Sequence, residues 1–503
     1  MTPAAASGDD RSERRKHLSP LELFHPDGVV EGVAVGGEAA PVSIEPQVGA
    51  THGELDLVFL APSASQGGEA WLEGMLDAFL PRLSRDAVLY LLVPRAGRHA
   101  ARRRLRSRGL ELGPVVAHVP SATSSRYLVP LDRSRAAAAF SRVVAVWPRR
   151  RRLLAFLARL PGATAALEGL SPAVALVARK PGARPLFLWA SASTQVEGPP
   201  RVEVLVTSGR AENDRVVLVL AGSRRGSDSV VAKIRAAGAS GLEREAAALG
   251  GIGATARAAG AAVPVAIGLR VLGRRRILLE TALPGKSAAA LLASRPGALT
   301  RVLCQLCDWL DDWHRATLAT PTDGLQELEQ RIIGPAESLA PLLEDGGRYV
   351  SWLRERCAAV GSGAVPLVAT HNDLTMFNVL VTRDGIGVVD WEEANGRGLA
   401  LTDFFYAAAD AAAAATRYLD RLEAFDACFS PSGRHFETIA QMQSRLATAA
   451  RMTPQLTELA FHACWLGHAV NEQRSDRPQA RPFISIVQRL ATSADGWLAA
   501  ADS

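Results

Sequence analysis

The segment THNDLTMFNVLV at residues 370–381 places His371, Asp373 and Asn378 in the few positions before a short apolar run, and a second apolar run, GIGVV, closes on Asp390 soon after. Transfer of a phosphoryl group asks little covalent chemistry of a protein. It needs a hydroxyl held in line with the phosphorus and positive charge where negative charge accumulates. Asp373 has the chemistry to accept a hydroxyl proton or orient the hydroxyl. The Asn378 carbonyl and the Asp390 carboxylate are hard oxygen ligands of the kind Mg²⁺ takes when it bridges phosphates.

The spacing from His371 to Asn378 is that of the H-x-D-x-x-x-x-N catalytic loop of kinases, and Asp390 stands in role where protein kinases carry a metal-binding Asp. Trp391-Glu392 replace the usual Phe-Gly after it. HNDLTMFNVLV followed by VVDWEE resembles the aminoglycoside phosphotransferase and choline kinase family, small-molecule relatives of protein kinases whose pattern is close to H-G-D-x-x-x-x-N-x-L and then D-W-E. The resemblance runs over residues 200–480, with one departure, Asn372 where the family usually has Gly. Asn372 is expected to be tolerated because its side chain can point away from the phosphates.

The resemblance implies ATP and Mg²⁺ as cofactors and assigns further residues. Lys233 in VVAKIR would contact the α- and β-phosphates, with Glu245 in LEREAAAL fitting the spacing of its helix partner better than Glu243. The loop TSGRAENDR would cover the nucleotide through Ser208, Gly209 and Asn213, and LLETALPG would be the hinge whose backbone from Glu280 to Ala282 meets adenine. His371 would brace the catalytic loop by hydrogen bonding, and Asp403 in LALTDFFYA would orient it.

These residues need elements to position them. After residue 200 the β-branched segments VEVLVTSG, RVVLVLAG, SVVAKIRA and RRRILLETALPG predict a small antiparallel sheet interrupted by one helix, and from Lys286 on the chain is mostly helical. The expected fold class is therefore an α+β bilobal protein-kinase-like domain, with a small β lobe over 200–285 and a helical lobe with the catalytic loop over 286–503. Glu197-Gly198-Pro199-Pro200 opens a linker before it. Upstream, ELDLVFLAP and DAVLYLLVP flank a helical pattern around EAWLEGMLDAFLPRL, which predicts a parallel, doubly wound, Rossmann-like α/β domain over 21–196. Its order resembles the second half of an S-adenosylmethionine-dependent methyltransferase over residues 50–180. The only candidate for a cofactor-binding glycine turn is GVVEGVAVGGE, so the domain is expected to dock a partner rather than bind the cofactor.

Composition narrows the function classes. The chain has 503 residues, 48% apolar and 21% charged, enough for two or three packed domains. Its net charge of +6 is concentrated in RAGRHAARRRLRSR and PRRRR, where no aromatic residue offers a stacking platform, so nucleic acid is not expected as a partner. Five cysteines form no disulfide framework; Cys304 and Cys307 lie in a helical pattern and read as buried thiols. Residues 1–20 read as a disordered leader without the apolar segment of a signal peptide, no apolar run reaches membrane-spanning length, and the expected location is cytoplasmic. His462, Cys464 and His468 could share a helix face as metal ligands, though packing is the reading preferred. Asp308, Asp311, Asp312, Glu472 and Asp476 could receive a cationic acceptor or be solvated faces. The whole predicts an ATP-dependent transferase acting on a hydroxyl of a small molecule. The alternative is a nucleotide-binding pseudokinase scaffold that recruits a biosynthetic partner through its N-terminal half.

Overall fold

The computed structural model describes residues 32–36, 54–61, 69–93, 97–119, 127–131, 173–186, 201–207, 216–221, 230–236, 241–258, 262–272, 275–319, 324–360, 365–382, 385–474, 481–493 and 497. The chain divides into two compact units: Met1–Glu243 with Ala266–Ala282, and Arg244–Val265 with Leu283–Ser503. Among the described residues no helix is long and apolar enough to cross a membrane.

The first unit is built on one sheet. Its strands are β1 (Gly32–Gly36), β2 (Leu55–Ala61), β3 (Leu83–Val93), β4 (Glu111–Val119), β5 (Tyr127–Pro130), β6 (Ala173–Arg179), β7 (Arg201–Thr207), β8 (Val216–Ala221), β9 (Val230–Ala236), β10 (Ala266–Leu272) and β11 (Arg275–Thr281). They lie in the order β1-β2-β3-β6-β4-β5-β7-β8-β9-β11-β10. β1, β2 and β3 run parallel, and from β3 to β6 onward every neighbour is antiparallel. The layer expected to be parallel is thus mixed. β2 and the second half of β3 are buried on both faces, which is why they read as unbroken apolar runs. β5 pairs with β7 through Tyr127↔Val206 and Leu128↔Leu205, so the strands before and after the proposed linker share one sheet; Glu197 to Pro200 themselves lie outside the described residues.

Helices α1 (Glu69–Phe79) and α2 (Arg98–Ser107) belong to the same unit. α2 carries most of the first arginine run and buries Arg98, Ala101 and Leu105. Arg104 reaches Glu73 of α1 at 3.0 Å, and Arg108, just past α2, reaches Glu73 and Asp77. Much of this positive charge is spent on neighbouring carboxylates. The second run, at 148–152, lies outside the described residues.

The second unit is helical with two small sheets. Its helices include α3 (Gly241–Gly250, of which Arg244 onward belongs here), α4 (Ile252–Ala258), α5 (Ala288–Ser294), α6 (Leu299–Thr317), α7 (Gly346–Val360), α8 (Thr402–Ala415), α9 (Arg421–Phe429), α10 (Phe436–Ala449), α11 (Pro454–Arg474) and α12 (Pro482–Thr492). The strands β12 (Lys286–Ser287), β14 (Val379–Val381) and β15 (Ile386–Val388) form one antiparallel sheet, and β13 (Leu367–Thr370) pairs with β16 (Asn395–Leu399) in another. α6 is amphipathic, burying Val302, Leu303, Leu306, Cys307, Leu310 and Trp313 at helical spacing. All five cysteines are free thiols, Cys304 exposed and the other four buried. α8, TDFFYAAADAAAAA, is buried nearly all round, as a helix apolar on every side must be; its alanines let neighbouring helices approach closely.

The pattern His462, Cys464 and His468 is spent on packing. Tyr349 Oη lies 2.6 Å from His462 Nδ1, and His468 stacks on Tyr406 with centroids 3.6 Å apart. Among the described residues no group of His, Cys, Asp and Glu is arranged to hold a metal ion. Burial pushes His468 and His462 down to about 3 and His314 down to about 4. Such imidazoles are neutral in the folded chain and take up a proton on unfolding below their ordinary value, so each withdraws stability as pH falls below that value. The raised carboxyls of Asp373 and Asp403 act in the opposite sense, so a variant must be compared with its parent. His468→Phe, which keeps the stack, is expected to lose less stability than the parent between pH 7 and pH 5 in urea unfolding. Parallel losses would show that His468 is not held neutral.

Candidate active site

The loop between β13 and β14 carries Asp373 and is fastened from behind. Trp313 of α6 donates its indole N–H to Ala369 O, and Ala369 N donates to Thr317 Oγ1 at 3.1 Å, so the end of α6 fixes the end of β13. Asp403, in the first turn of α8, then accepts two consecutive backbone N–H groups, from His371 at 2.6 Å and from Asn372 at 2.9 Å. Asn372 sits at φ +62°. That left-handed backbone is easiest for glycine and next easiest for asparagine, so Asn372 is accommodated there. Its side chain donates to Glu393 O at 2.9 Å.

His371 is fully buried and bridges two segments. Asp373 N donates to its Nδ1 at 3.3 Å, which leaves the proton on Nε2, 3.0 Å from Val389 O. The imidazole therefore braces the loop against the strand end that leads into Asp390.

Asp373 and Asn378 meet directly. Asn378 Nδ2 donates to Asp373 O at 2.9 Å and to Asp373 Oδ2 at 3.1 Å. With its amide hydrogens committed to Asp373, the carboxamide keeps Oδ1 as an acceptor. Val389 N donates to Asn378 O at 3.0 Å, tying Asn378 to the residue before Asp390. Burial, and next the Asp390 carboxylate, push Asp373 up to about 7, while the Asn378 bond pulls the other way. Two carboxylates and a carboxamide oxygen brought together, with mutual repulsion to relieve, are a donor set suited to Mg²⁺, which takes few protein ligands when phosphates supply the rest.

Asp390 is itself at φ +73° and is held by its successor. Trp391 is fully buried, donates its indole N–H to Val388 O at 2.9 Å, and packs edge-on against His371 with centroids 4.8 Å apart. Its backbone N donates to Glu245 Oε1 of α3 at 2.9 Å. Glu245, fully buried and expected to partner Lys233, here accepts from the backbone of the segment that carries Asp390.

In the first unit, Lys233 on β9 is 4% exposed and forms an ion pair with Glu280 Oε1 on β11 at 3.2 Å. Glu280 was expected to act through its backbone; its side chain is also engaged. Ala282 follows β11, while Ser208, Gly209 and Asn213 lie outside the described residues.

Asp410 was not anticipated. One of its carboxylate oxygens accepts from Met376 N at 2.7 Å and Tyr418 Oη at 3.0 Å, and the other from Arg421 Nη1 at 3.0 Å. The available signal was its place seven residues after Asp403 in an otherwise apolar helix, which puts both carboxylates on one face.

Residues 203–436 match the model of the phosphotransferase enzyme family, APH. No curated protein matches the chain. Among solved structures, the aminoglycoside phosphotransferase APH(3'')-Id from Streptomyces rimosus ATCC10970 is 16% identical with a TM-score of 0.34, the match covering 56% of this chain and 96% of that one. A choline/ethanolamine kinase family protein from Mesorhizobium loti is 17% identical with a TM-score of 0.31, the match covering 59% of this chain and 88% of that one.

The double hydrogen bond from Asp403 yields a direct test. Asp403→Ala would leave the buried His371 N–H without its acceptor and release Asn372 N–H, at a cost of about 1–3 kcal/mol. Hydrogen exchange at amides 371 and 372 is expected to quicken by about tenfold or more, with a lower melting temperature. Unchanged protection at both amides would remove Asp403 from its orienting role.

Proposed function

We propose that this protein is an ATP-dependent phosphotransferase that moves the γ-phosphoryl group to a hydroxyl of a small molecule. The observation that carries this reading is the direct Asp373–Asn378 pair beside Asp390. Asp373 accepts the acceptor's proton as its oxygen bonds to the γ-phosphorus and the bond to the bridging oxygen of ADP breaks. Asn378, by holding Asp373 Oδ2, fixes which way that carboxylate faces. When bound, Mg²⁺ would offset the charge on the phosphates, and Asn378 Oδ1 and Asp390 are the residues that would hold it.

Lys233 is assigned to the α- and β-phosphates. The buried Glu280 beside it forms its ion pair at 3.2 Å. The backbone from Glu280 to Ala282 is assigned to adenine, and Ser208, Gly209 and Asn213 to the cover over the nucleotide. Glu245 acts at a distance from the chemistry by fixing Trp391 and, through it, Asp390. His371 and Asp403 keep the loop in place and exchange no proton with the substrate.

Two measurements test this. ATP is expected to raise the melting temperature only with Mg²⁺, and the shift is expected to shrink in Asp390→Ala. Asp373→Ala is expected to lower kcat for ATP-dependent phosphorylation by about 10²-fold or more while nucleotide binding persists. A parent protein indifferent to Mg-ATP, or an Asp373→Ala variant with parental kcat, would overturn the assignment.

A further inference from the structure

The catalytic loop exposes one large apolar side chain, Phe377, which is 62% exposed although it directly precedes the buried Asn378. Its ring stacks on Tyr418 at 5.5 Å and 14°. Tyr418 and the preceding Arg417 are both left-handed, at φ +57° and +61°, a backbone disfavoured for side chains of their size. Tyr418 N donates to Ala413 O, and Tyr418 Oη donates to Asp410, which also receives Met376 N of the loop. The chain end of α8 is thus bent back so that a tyrosine ring supports the exposed phenylalanine of the loop that carries Asp373. Leu419, 86% exposed, continues the apolar surface.

The charged groups around this platform are engaged with one another or with the backbone, Arg417 included, whose Nε donates to Ala293 O at 3.3 Å. Asp410 is committed to Arg421, Tyr418 and Met376 N; Asp420 caps α9 through Leu422 N and Glu423 N; Glu472 accepts from Phe483 N and Ile484 N. Farther away, Asp308 and Asp311 are both engaged by Arg445. The Arg421 guanidinium lies over the Tyr418 ring at 5.0 Å, and Arg417 is exposed beside it. The negative face of an exposed aromatic ring favours the electropositive C–H edges of a saturated ring laid against it.

Resting on the phosphotransferase reading, we infer that Phe377, backed by Tyr418, is the acceptor platform, and that the acceptor lays a saturated hydroxylated ring, such as that of a sugar or cyclitol, against it.

The test is ADP release by the full chain with Mg-ATP and each of a hexose, a hexuronic acid, an inositol, choline and streptomycin, followed by Phe377→Ala and Phe377→Trp with the best acceptor. Turnover is expected for the ring compounds and not for choline, which has no ring to lay on Phe377. Phe377→Ala is expected to raise acceptor KM about tenfold against little change in KM for ATP, and Phe377→Trp to restore it. Preference for choline, or an acceptor KM unmoved in Phe377→Ala, would overturn the inference and leave the phosphotransferase reading standing. Failure of transfer to every compound, with Mg-ATP still bound, would overturn both.

Discussion

A single buried carboxylate sets the geometry of the loop. Asp403 is 4% exposed, and a charge in that position is tolerated only if hydrogen bonds replace the water it has lost. Burial still pushes its carboxyl upward, the nearby His371 and the two backbone donors pulling it partly back. Because those donors are successive amides, their direction is fixed, and Asn372 must turn left-handed to supply the second one. The turn brings Asp373 N onto His371 Nδ1, and the other face of the imidazole reaches Val389. One carboxylate on a helix thereby determines the tautomer of a histidine and the spacing of two further aspartates.

The same helix acts on the loop a second time. Asp410, on the face of α8 that carries Asp403, takes Met376 N, so the loop is held at its start and again two residues before Asn378. Between those anchors Asp373 has little freedom, and Asn378, just past the second, is tied by Val389 N, which is what orientation-dependent chemistry requires. The surrounding alanines of α8 lack side-chain conformers to order and admit close neighbours, so the helix makes a rigid support for two buried charges.

The loop was legible in the sequence because its geometry is local. Asp373 and Asn378 are near in the chain and are hydrogen-bonded in space, and the strand ending on Asp390 follows within a short hairpin. Contacts decided by strand register were not legible. Glu280 lies opposite Val231 and Lys233 opposite Leu278, so the two charges sit diagonally across β9 and β11, a relation that no pattern within either segment reveals. Nor did alternation of strands and helices show that the neighbours beyond β3 run antiparallel, since buried strands read as apolar runs in either direction. The bond from Trp391 N to Glu245 joins residues far apart in the chain and depends on how α3 packs.

Trp391 fixes the segment that carries Asp390, in place of the Phe-Gly that follows the metal-binding Asp in the protein-kinase motif. Here the corresponding ring is fully buried, hydrogen-bonded to Val388 O, set against His371 and packed on Trp313 at 5.1 Å and Trp309 at 6.4 Å, while its own N–H is held by Glu245. Close-packed interiors repack between discrete arrangements rather than yield gradually, and moving this indole would break its hydrogen bond to Val388 O and open a void the size of its ring. Asp390 is thus anchored through the residue that follows it. A segment so fixed leaves Asp390 little freedom to move between alternative positions.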